Sequence, residues 1–133
     1  MRILLVVLFS FILSACGVMT VNEHELQAGS ADGVTFSTTG RPTYDQVWVA
    51  ATKAMSNDMK IVYSHKASGT IKSRVGADHT GKVVAFFITP TTEHAPQYKI
   101  ELVSKKPMGL GQPERHNWEP SVIEDFKAAL NSK

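Results

Sequence analysis

Five histidines and one cysteine are the residues of this 133-residue chain best suited to metal binding or nucleophilic chemistry. His24, His65, His79, His94 and His116 contain no pair spaced as two ligands on one helix face, and none has a cysteine partner for a zinc set. Asp78-His79 and Glu93-His94 fall in segments that read as loops, where solvated side chains are a simpler reading than a metal pair meeting across a sheet end. Gly29-Ser30-Ala31-Asp32-Gly33 has the wrong spacing for a nucleophile elbow, and no Ser-x-x-Lys pair occurs. Gly109-Leu110-Gly111-Gln112-Pro113-Glu114 lacks the third glycine of a dinucleotide loop and opens no helix. No carboxylate pair is marked for glycoside hydrolysis. The expectation is therefore a non-enzymatic protein without catalytic residues, metal or cofactor.

Cys16 stands in a different context. Arg2 is followed by an almost wholly apolar run over 3–15, ending in Leu13-Ser14-Ala15-Cys16. A charged start, a short apolar stretch and small residues before a cut make a secretory leader. The run is shorter than the ~20 apolar residues that span a bilayer. Leu13-Ser14-Ala15-Cys16 resembles the lipobox of bacterial lipoproteins, which are cut before the cysteine. The resemblance implies a diacylglyceryl thioether on Cys16, often with a third acyl chain such as palmitate on the new amino group. Two or more chains anchor stably, whereas one binds only marginally. Gly17, where aspartate would favour inner-membrane retention, implies an outer-membrane lipoprotein facing the periplasm. The expected division is a signal peptide over 1–15, a lipidated tether over 16–32 and one domain over 33–133.

With the leader removed, no cysteine other than Cys16 is left, so the domain contains no disulfide and stands on packing alone. The remaining 118 residues can bury a true core. The formal charge of +2 falls to +1 once Arg2 is lost, and Lys105-Lys106 is the one adjacent basic pair. So weak a field gives no reason to expect nucleic acid as a partner.

The elements that would position any site follow from periodicity. The segment 17–32 reads either as a loose tether or as a short amphipathic piece using Val18, Val21 and Leu26. A strand is predicted over 34–39, broken by Gly40-Arg41-Pro42. A helix is predicted over 43–57, with Thr43 and Gln46 as a capping box. Tyr44, Val47, Trp48, Ala51, Ala54 and Met55 share one of its faces. Strands over 61–64 and 70–75 form a hairpin through Gly69, with Lys72 and Arg74 on a solvated polar face. The apolar strand 83–89 belongs in the middle of the sheet, and Tyr98, Ile100 and Leu102 mark the last strand. A closing helix starts at Pro120, with Trp118 and Ile123 placed as a hydrophobic staple and Val122, Ile123, Phe126, Ala129 and Leu130 on its inner face. The predicted fold class is α+β: a mostly antiparallel five-stranded sheet with two helices on one face, in the order β-α-β-β-β-β-α.

Tyr44-x-x-Val47-Trp48-x-Ala50-Ala51-x-x-Ala54-Met55, followed by a strand and then Ser68-Gly69-Thr70-Ile71, resembles the helix-grip domains of the lipoprotein C subunit of the outer-membrane β-barrel assembly machine. The resemblance covers 34–130, implies a small envelope domain, and transfers no functional residue. The connection 104–119 is much longer than the ~4–6 residues usual between elements. It gathers Lys105, Lys106 and Arg115 with Met108, Leu110 and Trp118, cations beside flexible and aromatic apolar groups that suit a protein or anionic partner. It is either that contact surface or a solvated crossing, and Trp118 is either a staple or an anchor. The expected function is that of an accessory or adaptor lipoprotein binding another envelope protein. The alternative is a periplasmic module binding lipid, glycan or peptide in a cleft between helix and sheet.

Overall fold

The computed structural model describes residues 21–30, 33–76, 81–91, 97–105 and 118–132. The elements run β1 (Val34–Ser37), α1 (Tyr44–Met55), β2 (Lys60–His65), β3 (Thr70–Arg74), β4 (Val83–Pro90), β5 (Tyr98–Lys105) and α2 (Trp118–Asn131). This is the α+β order that the sequence predicts. Every pairing is antiparallel, and the sheet order β1-β5-β4-β3-β2 puts the most apolar strand, β4, in the middle. One end of the sheet holds Lys60, Arg74, Val83 and Lys105 in register; it is the strap end, after residues 21–30, a strap across the sheet that starts there at Arg74. The opposite end carries the turn 66–69.

Period-two alternation divides the strands into two faces. Ile71, Val84, Phe86, Ile88, Ile100 and Leu102 turn toward the helices and pack with Val47, Ala50, Ala51, Ala54, Met55, Val122 and Phe126. The Phe126 ring lies 5.2 Å from that of Phe86 and 5.9 Å from that of Phe36, centroid to centroid. Small alanines on α1 let it approach closely. Its start is fixed by the predicted capping box, in which Thr43 Oγ1 accepts from the Gln46 amide at 3.2 Å and Gln46 Oε1 from the Thr43 amide at 2.9 Å. Its last turn is tied to the sheet by Ser73, whose buried hydroxyl donates to the Met55 carbonyl at 2.6 Å. Trp48, expected as core, is half-buried at the margin of this layer.

The second face corrects the sequence reading. Lys72 and Arg74 were expected on a solvated face, yet both are buried. The cover comes from residues 21–30, where Val21 and Leu26 form a second small core with Val83, Ala85, Phe87 and Val103. Residues 21–30, expected as part of a tether over 16–32 outside a domain over 33–133, instead pack on the sheet in the manner of the amphipathic alternative: Val21 is 4% and Leu26 3% exposed. The reason is the composition of β4, which is apolar on both faces and therefore needs cover on both. Residues 16–20, including Val18 and Cys16, lie outside the described residues.

Most boundaries shift by one or two residues, and two of the differences flank the candidate contact surface. β5 runs on to Lys105, because Val103 and Ser104 still have partners on β4. The last helix begins at Trp118 rather than at Pro120. Proline is tolerated there because the first-turn amides of a helix have no intrahelical acceptor. Trp118 is therefore a helical residue packed against the main core, not a staple ahead of the helix.

Candidate functional site

The sequence singles out Lys105, Lys106, Met108, Leu110, Arg115 and Trp118. Lys106, Met108, Leu110 and Arg115 lie outside the described residues, as does Cys16. Lys105 and Trp118 are brought to the same end of the molecule, the strap end, where β5 closes and α2 opens. There Ser104 donates to the Glu119 carboxylate, Lys82 lies 3.8 Å from the same carboxylate, and Lys105 pairs with Glu25. The Lys105 side chain is 53% exposed, so its ion pair contributes little to stability.

The strap, residues 21–30, brings together side chains that the sequence reading did not connect. Its first turn is a 3₁₀ turn over Glu23–Glu25, opened by Asn22, whose Oδ1 accepts from the His24 amide at 3.1 Å. Arg74 donates to the Val21 carbonyl at 3.0 Å and to the Gly81 carbonyl at 3.3 Å, and lies 3.4 Å from Glu23 Oε2. Lys72 donates to the Glu23 carbonyl at 2.7 Å, with its ammonium 5.5 Å from the centre of the Tyr63 ring. Burial lowers the Lys72 pKa, an effect opposed by Glu23. Glu101 Oε1 accepts from the amides of Gly29 and Ser30, at 2.7 and 3.2 Å. The strap thus crosses from β3 over β4 to β5 before the chain turns into β1. Four of its peptide groups, the carbonyls of Val21 and Glu23 and the amides of Gly29 and Ser30, are bonded by three charged side chains of the sheet in place of ladder partners.

These contacts give a structural role to Lys72, Arg74 and Glu101. The signal available in the sequence was the unbroken apolar run of β4 beside charges on neighbouring strands. Such a face must be covered by something short, apolar at two points and otherwise backbone.

Other features are open and local. His65 Nδ1 lies 2.9 Å from Ser68 Oγ, but it also faces the Ser68 amide at 3.2 Å, while Ser68 Oγ reaches the His65 carbonyl at 3.3 Å. These contacts describe an exposed turn, not an activated hydroxyl. A groove of about 810 Å³ runs outside the helix pair toward the turn end, bordered by Arg41, Asp45, Val49, Lys53 and Leu130, with Val49 65% exposed. The helix–sheet interface itself is filled by Met55, Phe86 and Phe126. Among the described residues, no group of three His, Cys, Asp or Glu side chains is placed to hold a metal ion, and no helix is long and apolar enough to cross a membrane.

No protein-family model and no curated protein matches the sequence. Among solved structures, the chain is similar to an uncharacterised protein from Bacillus thuringiensis, at 11% identity and a TM-score of 0.46. The similarity covers 74% of this chain and 95% of that one.

Proposed function

We propose that this chain is a non-enzymatic envelope lipoprotein, anchored through lipid on Cys16, whose domain binds another envelope protein as an accessory or adaptor. The observation that carries the reading is the lipobox Leu13-Ser14-Ala15-Cys16, followed only five residues later by a segment built into the sheet. Protein binding is favoured over ligand binding because the space between helices and sheet is filled. The grooves among the described residues are open ones on the surface. The proposed contact surface is the connection that includes Lys106, Met108, Leu110 and Arg115, together with Lys105 and Trp118, which flank it and stand at the strap end. Outer-membrane attachment on the periplasmic side is part of the same proposal.

Two experiments test it. Cys16→Ser should abolish lipid labelling and release the protein from the membrane fraction; wild-type chain that carries no lipid label sinks the anchor. Cross-linking in intact envelopes, with Lys105, Met108, Leu110 and Arg115 replaced by serine, should keep the melting temperature close to native while partner capture falls. Unchanged capture would remove this surface from consideration.

A further inference from the structure

The strap fixes how far the domain stands from whatever holds Cys16. We propose that the strap end of the sheet rests on the phospholipid headgroup layer, with the turn end pointing away. The inference rests on the lipid-anchor reading above.

Its first support is the length of chain between anchor and fold. Val21 is buried under the charged contacts of Arg74, and four residues, which make five Cα-to-Cα steps, separate it from Cys16. Fully extended, that leash spans at most about 18 Å. Its second support is where the leash starts. The Val21 carbonyl accepts from Arg74, the last residue of β3, which also donates to Gly81 just before β4, so the leash starts at the strap end. β4 is eight residues long, so the turn end lies about 24 Å further on. With the turn end down, Val21 would stand higher above the lipid than the leash can reach.

Chain length rather than charge sets this orientation. Among the described residues of the strap end, Arg74 pairs with Glu23, Lys82 with Glu119 and Lys105 with Glu25, so these cations are offset by carboxylates. A partner met through Lys105 and Trp118 is therefore met at the level of the bilayer surface. The groove beside Val49 faces away from it.

The lipidated full chain, purified from envelopes, has its thiol blocked by lipid, so an introduced cysteine is labelled alone. A fluorophore at Lys60→Cys reports the strap end and one at Arg41→Cys the turn end. Each protein is placed in phosphatidylethanolamine–phosphatidylglycerol vesicles carrying a headgroup nitroxide quencher. Quenching at position 60 should exceed that at position 41 several-fold, and added salt should not remove the difference. Inserting a Gly/Ser stretch of roughly twenty residues between Cys16 and Val21 should abolish it. Equal or reversed quenching in a chain that floats with the vesicles overturns the orientation alone. A chain that carries no lipid and does not float overturns the anchor, and the orientation with it.

Discussion

Leu26→Ala is the most direct probe of the strap. The side chain is 3% exposed and packs among Val21, Val83, Ala85, Phe87 and Val103. Burying a leucine stabilises by ~1.5–3 kcal/mol, and truncating one in a core costs ~2–5 kcal/mol. The lower part of that range applies, because the void lies under one thin segment that can settle into it. A loss of ~2 kcal/mol corresponds to roughly 25-fold in the equilibrium between docked and undocked strap. That equilibrium is local: the strap belongs to no strand pairing, so it can undock while the helix–sheet core stays folded. Native-state hydrogen exchange separates the two levels. The amides of Gly29 and Ser30, both donated to Glu101, should exchange roughly 25-fold faster than in wild type. Ladder amides of β4 and β5 that open only by global unfolding should accelerate by no more than the same factor, since global unfolding also undocks the strap. They should stay far slower than Gly29 and Ser30 and show a much steeper urea dependence. Unaltered exchange at Gly29 and Ser30, or the same rate and urea dependence there as in the β4 ladder, would refute the reasoning.

Three further outcomes are expected. Ser73→Ala leaves the Met55 carbonyl without its buried donor and should lower stability by ~1–3 kcal/mol in urea titrations, with Trp48 fluorescence as the probe. Gly69→Ala should destabilise by more than the ~1–3 kcal/mol of backbone strain alone, since φ is +65° and a Cβ would stand 2.4 Å from the Ile88 carbonyl oxygen; a melting temperature equal to wild type would contradict this. Lys72, with its folded pKa below the usual 10.5, binds fewer protons when folded than when unfolded in the interval between those values, so it adds stability as pH rises through that interval. Lys72→Met should lack that alkaline gain, and identical stability–pH curves for the two proteins would rule out the effect.

What sequence could read here depended on whether a segment's environment was local. The α1 cap needs only Thr43 and Gln46, three residues apart, and is legible directly. The central place of β4 follows from its run of apolar residues, and the helix-facing residues of β3 follow from alternation. The cover on the far face was not legible, because Val21 and Leu26 make a weak pattern alone and their partners are more than fifty residues away. Lys72 and Arg74 looked like solvated charges for the same reason. Charge at alternate positions signals a polar face, but says nothing about peptide groups that arrive to be hydrogen-bonded by it. Of the candidate contact surface, the two flanking residues could be placed: Lys105 on a longer strand, and Trp118 inside a helix that starts before its proline.

The strap also sets an order of events in time. Its contacts close long stretches of chain, 53 residues between Val21 and Arg74 and 72 between Gly29 and Glu101. The segment is made early, yet its docking platform is not complete until β5 has been synthesised and paired. Until then, residues 21–30 have nothing to fold against. Under the lipid anchor proposed for Cys16, late docking would separate maturation from folding: cutting and lipid attachment would come first, and the finished sheet would then take up the strap.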